Sequence, residues 1–524
     1  MFVYLIGAGP GDPGLITVKG ASALAAADVV VYDYLASDEL MALVRPDAEK
    51  IYVGKIAGDH AMHQYEINDL LIRKAKEGKT VARLKGGDPY IFGRGGEEGR
   101  ALYDAGVPFM EIPGISSTIA GPAYAGIPVT DRTAASSVTI ITGHEDPSKP
   151  GSVHNWQALA QSASTLVFVM GMKNLPDIVK NLMDAGLDPK TPAALVHWGT
   201  LPRQRSLDAP LSELHAAALR EGFTNPSVIV VGKVVSLRSK LNWNETRPLF
   251  GKTIAVTRSR EQASDMVRML GSLGARTIQH PVIRIEPPSS YAELDNAIGS
   301  LSSYDWLVFT SVNGVKKFKE RLDAAGRDAR SLAGLKIAAI GPATAGELLS
   351  FGIRADCVPE KFIAESAAEA MLAAGAGGSR VLLVRAAEAR STLPDTLRAN
   401  GASVDIVTAY VTVPHDPNKS EFLGLLEQGK LDCVTFASSS TVRNFLKGIS
   451  PEVLKKHPET HIAAIGPVTA RTLREYGLTA DIMPEEYTIP ALIAAITHAF
   501  SPETDMAGAA YSSWLNAEGS FHDS

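Results

Sequence analysis

The sequence predicts an α/β protein with more than one domain. Its 524 residues exceed what one hydrophobic core usually organises. From Phe2 to about Val235, short β-branched runs such as FVYLI and DVVVYD alternate with amphipathic stretches, a pattern typical of strands that alternate with helices. A second α/β region begins at Lys252 and contains an internal repeat. These observations predict open α/β sheets in the first half and two similar lobes in the second.

Composition narrows the classes of partner. The chain is 45% hydrophobic and 21% charged, with a net charge of −6, so it has no overall attraction to nucleic acid or to an anionic membrane. No apolar run is long enough to span a bilayer, and the first residues lack the basic region of a signal peptide. The two cysteines, Cys357 and Cys433, are too few for a disulfide framework or a Cys-rich metal site. We expect a cytoplasmic protein without a metal.

A Gly-rich turn follows the first predicted strand, at residues 7–14. Glycine lets the backbone approach a ligand closely. A dinucleotide fingerprint fits this turn poorly, because Asp12 stands in place of its third glycine. Pro10 and Pro13 also remove amide donors that a pyrophosphate needs. A second Gly-rich turn, at residues 86–98, follows another predicted strand. The acidic residues in the two turns, Asp12 and Asp88, favour a cationic or neutral nucleoside such as S-adenosylmethionine.

Three further segments follow predicted strands: Asp33, residues 86–88 and residues 113–117. Ligands of open α/β sheets lie at the carboxyl ends of the strands. Together with the turn at residues 7–14, these segments are therefore expected to converge on one cleft.

The second half repeats one unit. KIAAIGPATAGELLSFGIRADCVPE, from Lys336, is echoed by HIAAIGPVTARTLREYGLTADIMPE, from His461, and LVFTSVNGVKKF is echoed by CVTFASSSTVRNF. A unit that occurs twice predicts two lobes rather than a solenoid, and these lobes are expected to face each other across a cleft. The segments HPVIRIEPP and AYVTVPHDP are predicted to connect them. Residues 236–251, which are polar and contain Pro248, are predicted to be a linker, and the chain from about Ser501 is predicted to fray.

Several strings in the first half, among them YLIGAGPGDPGLITVKG, RLKGGDPYIFGRGGEE, AYAGIPVTDR and LVFVMGM, closely resemble uroporphyrinogen-III C-methyltransferase of the tetrapyrrole methylase superfamily. The resemblance covers nearly all of residues 1–244 and implies the two-domain tetrapyrrole methylase fold, with subdomains of about 1–134 and 135–244. It implies that two methyl groups pass from S-adenosylmethionine to uroporphyrinogen III, giving precorrin-2 on the way to sirohaem and cobalamin. It also implies a homodimer formed through this half.

The resemblance assigns a set of residues to S-adenosylmethionine: Pro10, Gly86, Gly87, Asp88, Ile91, Ser116, Ser117, Met170 and Gly199. The glycines suit this role because they give access to the backbone, and Ile91 and Met170 offer apolar surfaces for adenine. The family usually has Thr-Ala where Ser116 and Ser117 stand, so the assignment rests on their backbone more than on their side chains. Met170 taken alone is equally well explained by core packing.

By the same resemblance, Asp33 is the proton acceptor and Lys55 the proton donor. Asp33 ends a predicted strand at the cleft side, where a core position is a poor explanation for a carboxylate, whereas Lys55 on its own would be interpreted as a surface lysine. Four cations suit the carboxylates of a substrate or else are solvated surface residues: Arg83, Lys85, Arg94 and Arg132. Glu97 and Glu98 are expected in the first turn of a helix, where they complement its dipole.

The second half resembles uroporphyrinogen-III synthase through KTIAVTRS, FTSVNGV, the pair AAIGPATA and AAIGPVTA, and FASSST. The resemblance implies a two-lobed α/β synthase fold over residues 252–500, after a linker at 245–251. One lobe would comprise about 252–283 and 411–500, and the other about 286–408. The implied reaction closes linear hydroxymethylbilane to uroporphyrinogen III with loss of water.

The candidate substrate-binding residues of this half lie in hydroxyl-rich turns that open helices, where free amides bind carboxylates: Thr257, Arg258, Thr310, Ser311, Ser438, Ser439 and Thr441. Asn313 and Ser440 lie in the same turns, and Tyr410 is a weaker candidate. Serine and threonine in front of a helix are equally often N-caps that bind no ligand.

The two halves together indicate a bifunctional enzyme in which the second half makes the tetrapyrrole that the first half methylates. Two alternatives stay open. In one, the first half methylates a later corrinoid intermediate. In the other, the second half is an idle ligand-binding module, since two-lobed α/β clefts also serve as binding proteins.

Overall fold

The computed structural model describes residues 1–33, 38–54, 62–143, 154–162, 164–258, 260–414 and 419–501. Contacts divide the chain into two compact units, the first made chiefly of Met1–Thr253 and the second of Ile254–Arg268 and Thr277–Ile496. In the described part of the chain, no helix has the length and apolar character needed to cross a bilayer. The predicted fraying beyond Ser501 falls outside the described residues.

The first sheet is parallel. Its strands are β1 (Phe2–Gly7), β2 (Val29–Tyr32), β3 (Glu49–Tyr52), β4 (Thr80–Lys85) and β5 (Phe109–Ile112), and its helices are α1 (Val18–Ala25), α2 (Gln64–Lys76), α3 (Gly95–Asp104) and α4 (Ser117–Tyr124). The strands lie in the order β3-β2-β4-β1-β5, and every pair is parallel. Their carboxyl ends therefore lie at one edge of the sheet. The sequence analysis did not predict β3, an edge strand whose Glu49 and Lys50 are exposed.

Both faces of the first sheet are buried. Ile6, Val30 and Leu84 pack in one apolar cluster that includes Leu24 of α1. Alternate residues of the same strands, such as Leu5, pack in a second cluster with residues of α2 and α3, as expected for a parallel sheet covered on both sides. The strand ends and the loops beyond them are thus left as the place for a ligand.

The second sheet of the first unit is mixed. Its strands are β6 (Val138–Thr142), β7 (Thr165–Val169), β8 (Pro192–His197), β9 (Arg205–Pro210) and β10 (Ser227–Gly232), with helices α5 (Trp156–Ser162), α6 (Leu175–Asp184), α7 (Leu214–Arg220) and α8 (Arg238–Leu241). In the order β6-β7-β10-β8-β9, β6 and β7 run parallel and the other pairs are antiparallel. The sequence analysis did not predict β9, because RSLDAP is a polar edge strand with little β-branched character.

The segment predicted as a linker is folded, which corrects the sequence analysis. Its first residues are helical, and Leu249 is completely buried. The Glu245 carboxylate accepts hydrogen bonds from Gln204 Nε2 at 2.8 Å and from Ser206 Oγ at 2.5 Å, and it pairs with Arg238 at 2.5 Å. The segment was predicted as a linker because it is polar, but its polar groups form hydrogen bonds and ion pairs with other residues of the first unit.

The second half of the chain forms two further sheets. Its elements are β11 (Thr253–Val256), α9 (Arg260–Ser272), β12 (Arg276–Gln279), β13 (Ile283–Glu286), α10 (Ala292–Gly299), β14 (Trp306–Phe309), α11 (Val312–Ala324), β15 (Lys336–Ala339), α12 (Pro342–Ser350), α13 (Ala364–Ala373), β16 (Arg380–Ala386), α14 (Thr392–Ala399), β17 (Ser403–Pro414), α15 (Lys419–Glu427), β18 (Cys433–Phe436), α16 (Ser439–Gly448), α17 (Pro451–Lys455), β19 (His461–Ala464), α18 (Pro467–Glu475) and α19 (Ile489–Phe500). One sheet has the order β12-β11-β18-β19 and the other β13-β17-β16-β14-β15. The former combines strands from both ends of this half, as the sequence predicts.

Equivalent hydrogen bonds confirm the internal repeat. The amide of Ile337 donates to Asp356 Oδ2 at 2.7 Å, and the amide of Ile462 donates to Asp481 Oδ2 at 2.7 Å. In both copies, at β15 and at β19, the strand leads through a Gly-Pro turn into the next helix, as predicted. The two copies lie in different sheets.

The two extended segments predicted as connections lie side by side. β13 pairs antiparallel with the end of β17, with Ile283 opposite Pro414 and Glu286 opposite Val411. The proposed lobe boundaries, which fall close to this ladder, stay predictions.

The two cysteines lead to the first testable prediction. Cys433 is completely buried and Cys357 is 8% exposed, and burial raises the pKa of both thiols, which leaves little reactive thiolate. With a chromogenic disulfide reagent at neutral pH, we expect slow reaction of both thiols in the native protein and immediate reaction in denaturant. A native reaction as fast as the denatured one would contradict the packing.

Candidate active sites

The loops beyond the first sheet converge, as predicted. Gly9 and Gly87 exchange backbone hydrogen bonds, with the Gly87 amide donating at 2.7 Å and the Gly9 amide at 3.2 Å. A Cβ atom built on Gly7 would lie 2.4 Å from the Gly114 Cα and 2.8 Å from the Gly87 carbonyl oxygen. No side chain fits there, so glycine is required where the ends of β1, β4 and β5 meet.

Asp88 ties two of these loops together. Its Oδ1 accepts hydrogen bonds from the Tyr90 amide at 2.8 Å and the Ile91 amide at 3.0 Å, and its Oδ2 accepts from the Gly114 amide at 3.1 Å. Asp88 is 9% exposed. The expectation that it offers a carboxylate beside the ligand is therefore corrected, because the side chain is occupied in ordering the loops; a part of Asp88 in binding stays a prediction.

Strained backbone marks the same region. Five non-glycine residues of the described chain have positive φ: Phe92, Arg94, Met170, Trp198 and Thr200. They fall in the loop after β4, directly after β7 and around Gly199, the segments that the resemblance assigns to S-adenosylmethionine. Such conformations cost about 1–3 kcal/mol each and cluster at ligand sites. Met170 is also half exposed, so core packing is not its explanation.

The loop after β4 carries an apolar rim. Tyr90, Ile91 and Phe92 are exposed by 54%, 38% and 44%, although each is large enough to be buried. Three consecutive exposed apolar side chains on an anchored loop are typical of a surface that a ligand covers. Tyr90 and Phe92 were not selected from the sequence, where the signal was the run PYIF between two Gly-containing turns.

The remaining predicted ligand residues flank these loops. Ser116 is buried as the N-cap of α4, with its hydroxyl accepting from the Thr118 amide at 3.3 Å, and Ser117 is half-buried at the first helical position. A Cβ on Gly199 would lie 2.8 Å from the Gly121 Cα, so this glycine is needed for packing against α4. Pro10 is half-buried.

The loop that contains Pro10 is joined to the Gly199 segment. The Asp12 amide donates to Thr200 Oγ1 at 3.1 Å, and the Tyr124 hydroxyl donates to Asp12 Oδ2 at 2.7 Å. Asp12 therefore has a structural partner on both sides of the loop. Both contacts lie within the first unit and hold the turn after β1 against the second sheet.

Asp33 follows β2 at the same strand edge. Its Oδ2 accepts a hydrogen bond from Arg83 Nη2 at 3.1 Å, and its side chain is 27% exposed. Arg83 lies in the central strand β4 and is 3% exposed. A buried guanidinium thus fixes a partly exposed carboxylate, which is a suitable geometry for a positioned proton acceptor.

The Arg83 guanidinium is itself held by Glu98. The Glu98 side chain is completely buried, and its Oε1 accepts from Arg83 Nε at 3.2 Å, Lys85 Nζ at 2.9 Å and Gln64 Nε2 at 3.2 Å. Burial lowers the pKa of Lys85, the neighbouring Arg83 adds to this effect, and Glu98 opposes it. We name Asp33, Arg83, Lys85 and Glu98 the buried ion cluster.

The buried ion cluster bears on three sequence-based expectations: those for Arg83 and Lys85 are corrected, and the helical position of Glu98 is confirmed. Arg83 and Lys85 are not solvated surface residues, because both are buried and paired with Glu98. Glu98 does lie in the first turn of α3, but its main contacts are these two cations. Lys55 lies outside the described residues.

The other two candidate cations are at the surface. Arg94 is exposed and forms a bidentate pair with Glu97, at 2.9 and 2.7 Å, and Arg132 is exposed. Both stay predicted partners of substrate carboxylates.

In the second half, two serines of the repeat are N-caps. Ser311 caps α11 through the Gly314 amide at 3.1 Å, and Ser438 caps α16 through the Thr441 amide at 3.2 Å. Thr441 completes a capping box with Ser438 and is 3% exposed. As a correction, the Thr441 side chain serves the helix and is not open to a substrate.

Thr257 is a second correction. Its side chain is completely buried, and its hydroxyl donates to the Thr435 carbonyl at 2.7 Å. The whole residue is 0% exposed, so its hydroxyl is not open to a ligand. Arg258, the next residue, is half-buried, and burial lowers the pKa of its guanidinium.

The remaining candidates lie directly after β14, at the first position of α16 and within β17. Thr310 is half-buried directly after β14, and the Ser439 hydroxyl donates to the Val468 carbonyl at 3.3 Å. Tyr410 is buried with its hydroxyl 3.0 Å from Ser311 Oγ, and burial raises its pKa. Their roles in substrate binding stay predictions.

An aromatic residue that the sequence analysis missed lies on each Gly-Pro turn. A Cβ on Gly341 would lie 3.4 Å from Phe362, and one on Gly466 would lie 3.0 Å from the Tyr487 ring. Phe362 and Tyr487 are exposed by 50% and 58%. Equivalent placement in the two copies of the repeat, KFIA and EYTI, was the sequence signal that could have found them.

Substitution of Ser438 separates capping from binding. If its hydroxyl only caps α16, Ser438→Ala lowers the free energy of unfolding by about 1 kcal/mol, whereas Ser438→Gly costs only a few tenths. Urea unfolding of both variants measures this difference. If the two variants instead lose the same free energy of unfolding and raise the KM for hydroxymethylbilane by the same factor, the hydroxyl contacts the substrate.

Comparisons with known proteins also divide the chain into a first and a second half. The family model Tetrapyrrole (Corrin/Porphyrin) Methylases matches residues 3–215, and Uroporphyrinogen-III synthase HemD matches residues 264–494. Porphyrin biosynthesis protein HemD of Ruminiclostridium josui is 39% identical over 494 residues, which cover 94% of this chain and 97% of that protein.

Two further relatives match the first half. Uroporphyrinogen-III C-methyltransferase of Bacillus subtilis is 47% identical over 244 residues, covering 47% of this chain and 95% of that protein. Siroheme synthase 2 of Cronobacter sakazakii is 53% identical over 241 residues, covering 46% of this chain and 52% of that protein.

The folds, the sites and these matches define a tetrapyrrole-biosynthesis enzyme of two joined parts, a methylase followed by a synthase. The chain belongs to the family of the R. josui HemD protein. Its first half is a uroporphyrinogen-III C-methyltransferase that depends on S-adenosylmethionine, and its second half is a uroporphyrinogen-III synthase.

Proposed function

We propose that the second half closes hydroxymethylbilane to uroporphyrinogen III, and that the first half then methylates this product twice to precorrin-2. S-adenosylmethionine is the methyl donor. Precorrin-2 then enters the formation of sirohaem or cobalamin. We propose further that the protein works in the cytoplasm as a homodimer joined through the methyltransferase half.

Three features lie together at the carboxyl edge of the first sheet, and this observation is the main support for the methyltransferase proposal. The loops after β1, β4 and β5 approach within backbone contact. The loop after β4 adds an exposed apolar rim, and Asp33 stands at the end of β2 beside Arg83. Backbone access, an apolar wall and one fixed carboxylate suit a neutral or cationic nucleoside next to a carbon nucleophile.

The residues of this chain need to catalyse only a small part of the methyl transfer. S-adenosylmethionine supplies an electrophilic methyl group, so the protein chiefly positions the reactants. As the new carbon–carbon bond forms and the carbon–sulfur bond breaks, a proton must leave the macrocycle, and Asp33 accepts it. Arg83 keeps the Asp33 carboxylate in place. Ile91 and Met170, both exposed, provide apolar surface for the nucleoside.

The synthase proposal rests on the turns at strand ends in both copies of the repeat. The leaving hydroxyl departs from a carbon activated by a pyrrole nitrogen, so folding the chain of rings supplies much of the catalysis. Thr310 and Ser439 stand where helix-opening amides bind carboxylates. This site needs few titrating groups, which agrees with the scarcity of acids among the candidate residues.

Supplying uroporphyrinogen III and S-adenosylmethionine tests the methyltransferase proposal by product mass. We expect a product with two added methyl groups and the chromophore of precorrin-2. A product with one methyl group, or turnover only with a later corrinoid substrate, would contradict the proposal and support the alternative methylase.

A further inference from the structure

A pocket of about 260 Å³ lies in the second half, at the carboxyl ends of three neighbouring strands. Thr310 follows β14, Ile340 follows β15 and Arg385 lies near the end of β16, and all three line the pocket. These strands are parallel and adjacent, so the pocket occupies the position where α/β sheets bind ligands. Thr310 is the one residue of the sequence-based candidates that lines it.

The walls of the pocket favour an anion. Two arginines, Arg385 and Arg390, line the pocket, whereas only one acidic residue of the described chain, Glu365, does so. Arg385 Nη1 donates to the Arg390 carbonyl at 2.9 Å, which fixes the guanidinium without neutralising it. Within the described ranges, neither arginine forms an ion pair with a carboxylate.

Two helix N-termini add to this positive character. Ala364 and Glu365 open α13, and Leu393 and Pro394 lie in the first turn of α14, and all four line the pocket. Neither helix has a side-chain N-cap, in contrast to α11 and α16. The uncapped first-turn amides of Ala364, Glu365 and Leu393 are available for an anionic oxygen, whereas Pro394 has no amide hydrogen.

The size and the apolar wall limit the ligand. Pockets for whole small molecules are about 300–1,000 Å³, so this pocket fits part of a larger molecule. Phe362 and Ile363, exposed by 50% and 46%, line it and offer an apolar face beside the arginines. A pyrrole ring with its acidic side chains combines a flat apolar face with carboxylates.

We propose that this pocket binds the carboxylate side chains of one pyrrole ring of the linear tetrapyrrole, with Arg385 as the main ligand and Arg390 as its neighbour. This subsite rests on the proposed synthase function. By fixing one ring, the pocket holds one end of the substrate while the ring to be inverted is free to turn. Bidentate contact with a carboxylate requires the guanidinium fork, which lysine lacks.

Kinetics of the full chain with hydroxymethylbilane test the proposal. For Arg385→Gln we expect KM to rise about 10- to 100-fold with kcat changed less than threefold, and a smaller rise for Arg385→Lys. At low substrate, spontaneous closure then competes, so the fraction of uroporphyrinogen I increases. Arg330→Gln is the matched control, because Arg330 is 90% exposed and pairs with Asp328 in the same sheet region.

The outcomes separate this inference from the proposed function. Because Arg385 and Arg330 lie in the second compact unit, far-ultraviolet circular dichroism and urea unfolding of the full chain, compared with wild type, report that each variant is folded. If the wild-type chain makes no excess of uroporphyrinogen III, the synthase proposal itself fails. If the wild type makes it and Arg385→Gln keeps the wild-type KM, the synthase stands and the pocket proposal is overturned.

Discussion

Replacing Glu98 with glutamine is expected to lower the free energy of unfolding by about 3–5 kcal/mol, the largest effect of any single change considered for this protein. Glu98 is completely buried and is the shared acceptor for Arg83 and Lys85. Its neutralisation leaves two buried cations with only Asp33 to balance them. Urea or thermal unfolding of the variant measures the loss.

Glu97→Gln is the matched control. Glu97 is the preceding residue of α3, but its side chain is 43% exposed and pairs only with the exposed Arg94. Surface pairs of this kind contribute at most about 1 kcal/mol. Equal destabilisation by Glu97→Gln and Glu98→Gln would contradict the role given to the buried ion cluster.

The Glu98→Gln defect is also expected to depend on pH. Burial already lowers the pKa of Lys85, and Glu98 opposes that effect, so the variant's Lys85 pKa falls further. The unfolded chain then binds more protons than the folded one at alkaline pH, and stability rises with pH in that window. The difference in the free energy of unfolding between the variant and the wild type should therefore become smaller as the pH approaches the usual pKa of lysine. A gap that widens with pH would argue against a buried, charged Lys85.

Asp33→Asn is expected to reduce kcat for methylation by about 10²- to 10⁴-fold, the usual contribution of a positioned general base. The amide still accepts a hydrogen bond from Arg83, so the local structure is kept and the free energy of unfolding changes much less than in Glu98→Gln. KM for S-adenosylmethionine should change little, because Asp33 acts on the macrocycle.

Two companion variants make this prediction specific. Asp33→Glu restores a carboxylate and should recover part of the rate, and Asp104→Asn, on the exposed end of α3, should have no effect. The Lys55→Met variant tests the proposed proton donor in the same assay. Wild-type rates for both Asp33→Asn and Lys55→Met would show that the acid–base assignment is wrong.

The sequence predicted the loops and the repeat because their signals are local. A glycine that must admit a neighbouring backbone, as at Gly7 and Gly114, and a Gly-Pro turn after an apolar run can be identified from adjacent residues. Met170 illustrates the limit of such signals: whether a methionine after a strand is core or ligand surface depends on a backbone conformation that the sequence does not encode locally.

The buried ion cluster escaped prediction because its members come from different elements. Arg83 and Lys85 lie in β4, the central strand of a sheet buried on both faces, and their partner Glu98 lies in α3. The run TVARLK contained a signal, since charged residues in a central parallel strand need buried partners. The folded linker was missed for a related reason: Glu245 is satisfied by residues more than thirty positions away as well as by Arg238.

The hydroxyl-rich turns of the second half were predicted only in part, because most of their hydroxyl groups have structural roles. Ser311 and Ser438 are N-caps, and Thr257 and Thr441 are buried, so hydroxyl content alone did not distinguish helix starts from ligand contacts. The pocket lined by Arg385 depends on uncapped helices and on one hydrogen bond to a loop carbonyl. Neither feature can be derived from composition.

The most direct test supplies the full chain with hydroxymethylbilane and then adds S-adenosylmethionine. Without the methyl donor, we expect uroporphyrinogen III in clear excess over isomer I. On its addition, the chromophore and mass of precorrin-2 should appear from the same reaction mixture. If the ratio of isomers III and I equals that in buffer alone, or if isomer III accumulates and stays unmethylated, the account of two successive activities on one chain is contradicted.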